Sequence, residues 1–313
     1  MTLHKEFDVV GLGVSTLDLL HLVEHFPSDE TVQESDASAL EGGGPVATAI
    51  VTLARLGAKV TMLDSLGDDW RGRFILDEFK KENVGTKYIK IYQGHTSSIA
   101  SVLVRRADGA RTIIYSPGSS PELTADDINC DLIARSKFIH INGRHFNACL
   151  KACKTAREHT IKVSFDGGSH RFRPELADLI SMSDICIVSR NFSEEYSHQT
   201  EMEPAARLFL KSGPSLVVIT DGTRGSWIFT EKGEVYHQPA YILPGVVDTT
   251  GCGDSYHGAF LFGLCNGFEL KKTSAIASAV AALNAGALGG RSGLPSYKQV
   301  LSFLGNNVVQ ETL

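Results

Sequence analysis

The sequence predicts an α/β fold, a mainly parallel sheet covered by helices on both faces with a small β lid at one edge. Three observations carry this. Short apolar runs of strand length alternate with amphipathic stretches at helical spacing along most of the chain, which is the signature of a parallel sheet with crossover helices. Two stretches, about 15–39 and 97–117, break that rhythm with extended runs that fit a separate β layer. A chain of 313 residues, 42% hydrophobic and 21% charged, can bury a large core.

The elements follow in order. "FDVVGLG" reads as the first buried strand, and the extended stretch 15–39 follows it. "PVATAIVTLARLG" has helical spacing, and "KVTMLDSLG" returns to a strand. In "IASVLVRRADGARTIIYS" two extended runs flank Asp108 and Gly109, the pattern of a hairpin turn. "KFIHING" is a strand, and "NACLKACKTAREH" is a helix with Cys149 and Cys153 four apart on one core face. "IKVSFDGG", "DICIVS" and "SLVVITDG" are further strands. Val246 and Val247 suit a strand end, and Tyr256, Ala259, Phe260 and Leu264 recur at helical spacing beyond it. Ligands of such folds gather at the carboxyl ends of the strands. No repeat or interdomain linker divides the chain, so 1–313 is expected to form a single domain.

Composition excludes several classes. The formal charge of −6, with Lys and Arg dispersed, leaves no basic stripe for a phosphate backbone, so nucleic acid is not an expected partner. The six cysteines show neither a CxxC pair nor zinc-ligand spacing and read as buried thiols. Apolar runs are only strand-sized and the start "MTLHKEFDVVGLGVS" lacks a secretory signal, so the expectation is a cytoplasmic protein with no membrane partner.

The stretch "VDTTGCGDSYHGAF" concentrates the chemistry. Its glycines occupy a loop that opens a helix, where unpaired amides and the positive end of the helix dipole favour an anion. GxxxxGK[ST] is lacking, so this is not a P-loop. Asp254 follows the glycines directly, as an N-cap or as a catalytic base, and its residue type and position alone leave both open.

"DTTGCGDSYHGAF" resembles the second signature of the ribokinase-like (PfkB) carbohydrate kinases, whose usual form is DTxGAGDxF; Cys252 replaces its alanine and Tyr256 its phenylalanine. The resemblance implies a three-layer sandwich with a mainly parallel central sheet and a small β lid. It implies that Asp254 removes the proton from a sugar hydroxyl, while the amides of Gly251, Cys252 and Gly253 hold the charge growing on the transferred phosphoryl group. That suits phosphoryl transfer, which depends mainly on positioning and electrostatics.

Other motifs keep the family's order. "GLGVSTLDLL" resembles the first strand and turn and places Asp18 as a ligand for sugar hydroxyls. "EGGGPVATAIVTLARLGAKVTMLDSLGDDWRG" resembles the first signature, with Gly42, Gly43 and Gly44 bringing backbone against substrate; Ala47 stands where many relatives have a sugar-binding asparagine. Residues 191–194 of "VSRNFSEEYS" resemble the NxxE motif, implying Asn191 near the nucleotide and Glu194 holding Mg²⁺, through water. "VITDGTRGSWIF" resembles TxGxxG and places Thr220, Gly222 and Gly225 along ATP, with Asn284 expected beside the adenine.

The implied function is an ATP-dependent kinase, with ATP and Mg²⁺ as cofactors, that phosphorylates a hydroxyl of a sugar, a ketohexose or related sugar first. An anionic sugar (a sulfofructose or sugar phosphate) comes second and a nucleoside third, with a non-catalytic sugar- or nucleotide-binding homologue as the alternative of another class. "GGGPVATA", "GGRSGLP" and Arg144 of "INGRHF" are most similar to the sulfofructose kinase branch, whose arginine faces the substrate anion, whereas Val32 and Tyr115 depart from that branch's lysine and asparagine. The family's habit implies a homodimer paired through the lid.

Overall fold

The computed structural model describes residues 5–310. In chain order the elements are β1 (Phe7–Leu12), β2 (Thr16–Val23), β3 (Ala37–Gly43), α1 (Pro45–Leu56), β4 (Val60–Gly67), α2 (Trp70–Lys81), β5 (Ile89–Tyr92), β6 (Ser98–Arg105) and β7 (Arg111–Ser116). There follow α3 (Cys130–Ala134), β8 (Ser136–Ile141), α4 (Phe146–Glu158), β9 (Lys162–Gly167), α5 (Leu176–Ser181), β10 (Ile185–Ser189), α6 (Arg190–Ser197), α7 (Met202–Ser212) and β11 (Leu216–Thr220). The last are β12 (Ser226–Thr230), β13 (Val235–Gln238), α8 (Cys252–Cys265), α9 (Leu270–Asn284) and α10 (Tyr297–Gln310).

Nine strands form one sheet in the order β13-β12-β11-β10-β9-β8-β1-β4-β5. All its pairings are parallel except those of β12 and β13 at one edge. Strands such as β4, buried at every position, sit between two helical layers, which is why they read as continuous apolar runs. One layer, with α1, α8 and α9, packs Val9, Met62, Ile187 and Val218 of the sheet. The opposite layer, with α4, α5 and α7, packs Val10, Ile139, Phe165 and Val217. The result is a three-layer α/β sandwich, as the sequence predicts. Cys149 and Cys153 are buried together on α4, and all six cysteines are free thiols.

A second sheet of four strands, β3-β2-β6-β7, comes from the two stretches that break the alternation. β6 alternates buried and half-buried residues, whereas β7 is exposed throughout. The pair turns tightly around Asp108 and Gly109, with Val104 opposite Arg111.

One expectation fails. Val246 and Val247 do not end a strand: β13 stops at Gln238, and Pro239, Pro244 and Gly245 keep the chain irregular until α8. The Val247 amide instead donates to Ala285 O at 2.9 Å, so α9 holds this segment.

α8 carries the central chemistry on a rigid support. Every residue from 255 to 263 is buried, and the helix packs between α1 and α9. Among the described residues no helix is long and apolar enough to cross a membrane.

Candidate active site

The loop before α8 is held from behind. Asp248 is fully buried, and its carboxylate accepts from Thr250 N at 2.7 Å and Gly289 N at 2.9 Å. Gly251 is the N-cap of α8 with φ 70°, a left-handed conformation, and a Cβ there would lie 2.7 Å from Gly290 O. Only glycine fits both constraints. Cys252 and Gly253, the first two residues of the helix, line a cleft, and the Cys252 amide also donates to Thr249 O at 3.4 Å.

Asp254 sits in the first turn of α8. Because Gly251 is the N-cap and the helix has no side-chain cap bond, Asp254 is not the cap. Loss of solvation raises its carboxyl above the ordinary range and Asp166 adds repulsion, while Arg171, His257 and Arg111 pull it down. Burial pushes the Cys252 thiol up to about 12, so this substitution in the signature adds no nucleophile.

Residues of three motifs meet in one cleft of about 660 Å³. Asn191, Glu194, Thr220, Gly222 and Gly225 line it together with Cys252 and Gly253. Its other end is apolar, formed by Val246, Ala281, Ala282 and Ala285 among others. Glu194 Oε1 accepts from Arg190 Nε at 2.7 Å, and Asn191 Oδ1 accepts from His170 N at 2.7 Å. Asn284 is not in this cleft. It is fully buried and donates to Gly290 O at 3.0 Å and Thr250 O at 3.5 Å, so it braces the loop before α8, and the small residues of α9 form the wall instead.

Asp18 lies on β2, with Thr16 Oγ1 donating to its Oδ1 at 2.6 Å. Burial raises its carboxyl to about 6, against the pull of Thr16 and Arg291, and Asp254 contributes a small repulsion, so the two carboxylates share one neighbourhood. Gly42 and Gly43 are buried, and their missing side chains make room for protein groups: a Cβ at Gly43 would meet Asp18 Oδ2 at 2.0 Å and one at Gly42 would meet Arg291 Nη1 at 2.4 Å. The half-buried Gly44 passes close to Val14 O in the same way. Gly42 and Gly43 therefore make room for Arg291 and Asp18.

Arg144 follows β8, where its Nη2 donates to Tyr115 OH of β7 at 3.4 Å and its buried Nε has no partner. It links the strand ends to the second sheet. Residues far apart in the chain also meet here: Arg291, buried to 3% exposure, donates to Gly43 O at 2.9 Å and Thr48 Oγ1 at 3.2 Å, and its amide donates to Glu41.

Sequence reasoning missed three arginines. Arg291 stands within the quoted "GGRSGLP", but its role depends on contacts nearly 250 positions away. Arg111, on β7, lines the large cleft and donates to Thr249 Oγ1 at 3.0 Å; Thr249 in turn donates to Gly109 O at 2.9 Å, tying the hairpin of the second sheet to the loop before α8. Arg171 follows β9 and exerts the largest favourable charge effect on Asp254. No local pattern marks either one.

The arrangement combines a glycine-led helix start, a carboxylate in its first turn, a cleft that the helix start lines and a second carboxylate close to the first. The family description "pfkB family carbohydrate kinase" matches residues 6–296. The chain is similar to the 5-dehydro-2-deoxygluconokinase of Halalkalibacterium halodurans, at 27% identity over 95% of this chain and 94% of that protein. It is similar to the ketohexokinase of Mus musculus at 25% identity, over 91% and 98% of the two chains. Among solved structures, the ribokinase of Arabidopsis thaliana complexed with ribose and ATP superposes with a TM-score of 0.83 at 22% identity, covering 95% of this chain and 98% of that one. That likeness shows a ribokinase-like fold.

Proposed function

The chain belongs to the pfkB family of carbohydrate kinases, and on that footing we propose that it transfers the γ-phosphoryl group of ATP to a hydroxyl of a ketohexose or related sugar, with Asp254 as general base. The observation that carries this reading is Asp254 in the first turn of α8, next in sequence to Gly253 of the cleft lining and close enough to Asp18 to repel its carboxylate. A carboxyl raised by burial is a better proton acceptor than an ordinary one, as in-line attack by a sugar oxygen requires.

In this reading ATP lies in the cleft lined by the alanines of α9, Cys252 and Gly253, with its base toward the alanines and its phosphates toward the loop of Gly251. Asp18 orients the sugar by accepting from its hydroxyls. Asp254 takes the proton from the attacking oxygen, and the helix amides with Arg111 and Arg171 receive the negative charge that develops on the phosphoryl group. Mg²⁺ fits the oxygen donors of the cleft: Glu194 spends one oxygen on Arg190 and can hold the ion through water with the other. When bound, the ion neutralises phosphate charge.

The four-stranded sheet acts as the lid, domain and lid together comprising one functional unit. Its hydrogen bonds to Thr249 couple its position to the anion hole, and closure would exclude water from the phosphoryl group. Its outer strand exposes Ile113 at 49% and Ile114 at 67%, an apolar edge suited to a second copy, so we place the chain in a lid-paired homodimer. The sugar and ATP are its small-molecule partners, and the cytoplasm, where ATP is supplied, is its compartment.

A second reading is favoured by Arg144, whose unpartnered Nε beside Tyr115 suits an anionic group on the sugar. Relatives named for a ketohexose and for a gluconate bracket the two cases, and the sulfofructose kinase branch belongs to the second. ADP release measured over ketoses, aldoses, sugar acids, sugar phosphates, sulfosugars and nucleosides decides. Preference for a neutral ketohexose supports the first reading, preference for a charged sugar the second, and no turnover with any of them removes both.

A further inference from the structure

The face of the central sheet turned toward α8 carries a polar group that has no direct part in the proposed transfer, although two of its members influence the carboxyl of Asp254. His140 on β8 pairs in register with Ser164 on β9, and Asp166 lies two residues further along the same face. His257 comes down from α8, one turn beyond Asp254, so that its ring meets that of His140 edge-on at 5.8 Å. All three are buried, at 0%, 3% and 3% exposure for His140, Asp166 and His257.

Four polar atoms in this group lack a well-formed hydrogen bond, His140 Nε2, both Asp166 carboxylate oxygens and His257 Nδ1, and Arg171 and the Gly168 backbone only partly offset the burial of Asp166. Buried polar atoms in folded proteins are normally paired, and leaving a carboxylate unpaired is costly. A single proton between Asp166 and His257, whose nearest atoms are 3.8 Å apart, would pair only two of the four. One donor atom from each residue lies within 4.8 Å of the others, so one cation can be reached by all three side chains.

We propose that His140, Asp166 and His257 form a binding site for a divalent transition metal of the zinc class, beneath the general base and separate from the Mg²⁺ that accompanies ATP. Two imidazoles and one carboxylate are a donor set for zinc, cobalt or nickel, whereas Mg²⁺ prefers oxygen alone. His140 Nδ1 is already hydrogen-bonded to Ser164 Oγ at 3.2 Å, the kind of outer contact that holds a ligating imidazole in place with Nε2 toward the ion. Metal–ligand bonds of about 2.0–2.2 Å draw the three donors inward by side-chain rotation. Bound there, the ion joins β8 and β9 to the catalytic helix and raises the melting temperature. The site depends on neither nucleotide nor sugar, so it stands or falls apart from the kinase reading.

The test uses the full chain without an affinity tag, stripped with EDTA and then titrated with Co²⁺ and Zn²⁺. One equivalent of Co²⁺ is expected to give the visible absorption of a low-coordinate site and to be displaced by Zn²⁺. Asp166→Asn and His257→Gln should each weaken Zn²⁺ binding by more than about 100-fold, beyond the usual cost of losing an outer partner, with circular dichroism confirming their fold. Absence of one-to-one binding in the folded wild type, or binding kept by both folded variants, overturns the proposal. If the variants do not fold, X-ray absorption of the zinc-loaded wild type decides: two imidazole ligands support the site, and fewer overturn it.

Discussion

Replacing Asp254 by asparagine separates the base from every structural role the residue has. The change keeps size and hydrogen-bonding capacity but removes the proton acceptor. General-base catalysis contributes roughly 10²–10⁴ in rate, equivalent to about 3–5 kcal/mol of barrier, so kcat should fall by that factor. Stability should barely move. Asp254 makes no cap bond, and the favourable effect of a negative charge in a first helical turn is about 0.3–1 kcal/mol. Losing it also relieves repulsion from Asp166 and toward Asp18. The assays are steady-state ADP release, nucleotide binding by fluorescence titration, and thermal melting on the same preparation. In the wild type kcat should fall as pH drops through the raised pKa of Asp254, and the residual activity of the variant should lack that limb. Near-normal kcat in a folded variant with intact ATP binding would refute the assignment. A stability loss of about 0.5–2 kcal/mol with chemistry preserved would show the cap that the geometry argues against.

Asp18 carries a pH signature of its own. Its folded pKa of about 6 lies above the model-peptide 3.8, so the folded chain holds this proton more tightly than the unfolded one, and its ionisation costs stability progressively from about pH 4 to above 6. Asp18→Asn should therefore be more stable than wild type at pH 7, on the order of 1–2 kcal/mol, and not at pH 4, in chemical denaturation; a pH-independent difference contradicts this. The wild-type KM for sugar should rise as pH falls below about 6, when the carboxylate no longer accepts. Glu194→Gln should raise the Mg²⁺ concentration for half-activation by about tenfold with little change in sugar KM, and an unchanged metal curve removes Glu194 from the ion. Arg144→Ala should lower kcat/KM for an anionic substrate by about 1.5–3 kcal/mol more than for its neutral analogue; equal losses assign the arginine to neutral hydroxyls or to structure, and no loss places it outside the pocket.

The grouping of the cleft's motif residues was legible because it is local: Thr220 ends β11 with Gly222 and Gly225 in the turn after it, and Cys252 and Gly253 open α8, so a short window of sequence holds each group. Asn284 shows the limit of the same reasoning. Its position on α9 was readable, but which side of that helix faces the cleft depends on how α8 and the loop before it pack, and they put Ala281, Ala282 and Ala285 there instead. Val246 and Val247 have strand-forming side chains, yet the prolines before them deny the segment a ladder.

The sequence by itself determined the alternation of strands and helices, through apolar runs and periodicity, and the start of α8, through Gly251, which can take the left-handed backbone at the cap. Tertiary structure alone decided that Arg291 stands beneath Gly42 and Gly43, that Arg111 reaches from the second sheet to Thr249, and that His140, Asp166 and His257 converge behind Asp254. The reason is physical: strand order and helix packing bring together side chains that are distant along the chain, and an isolated arginine, aspartate or histidine has no local preference that records which partner it will meet.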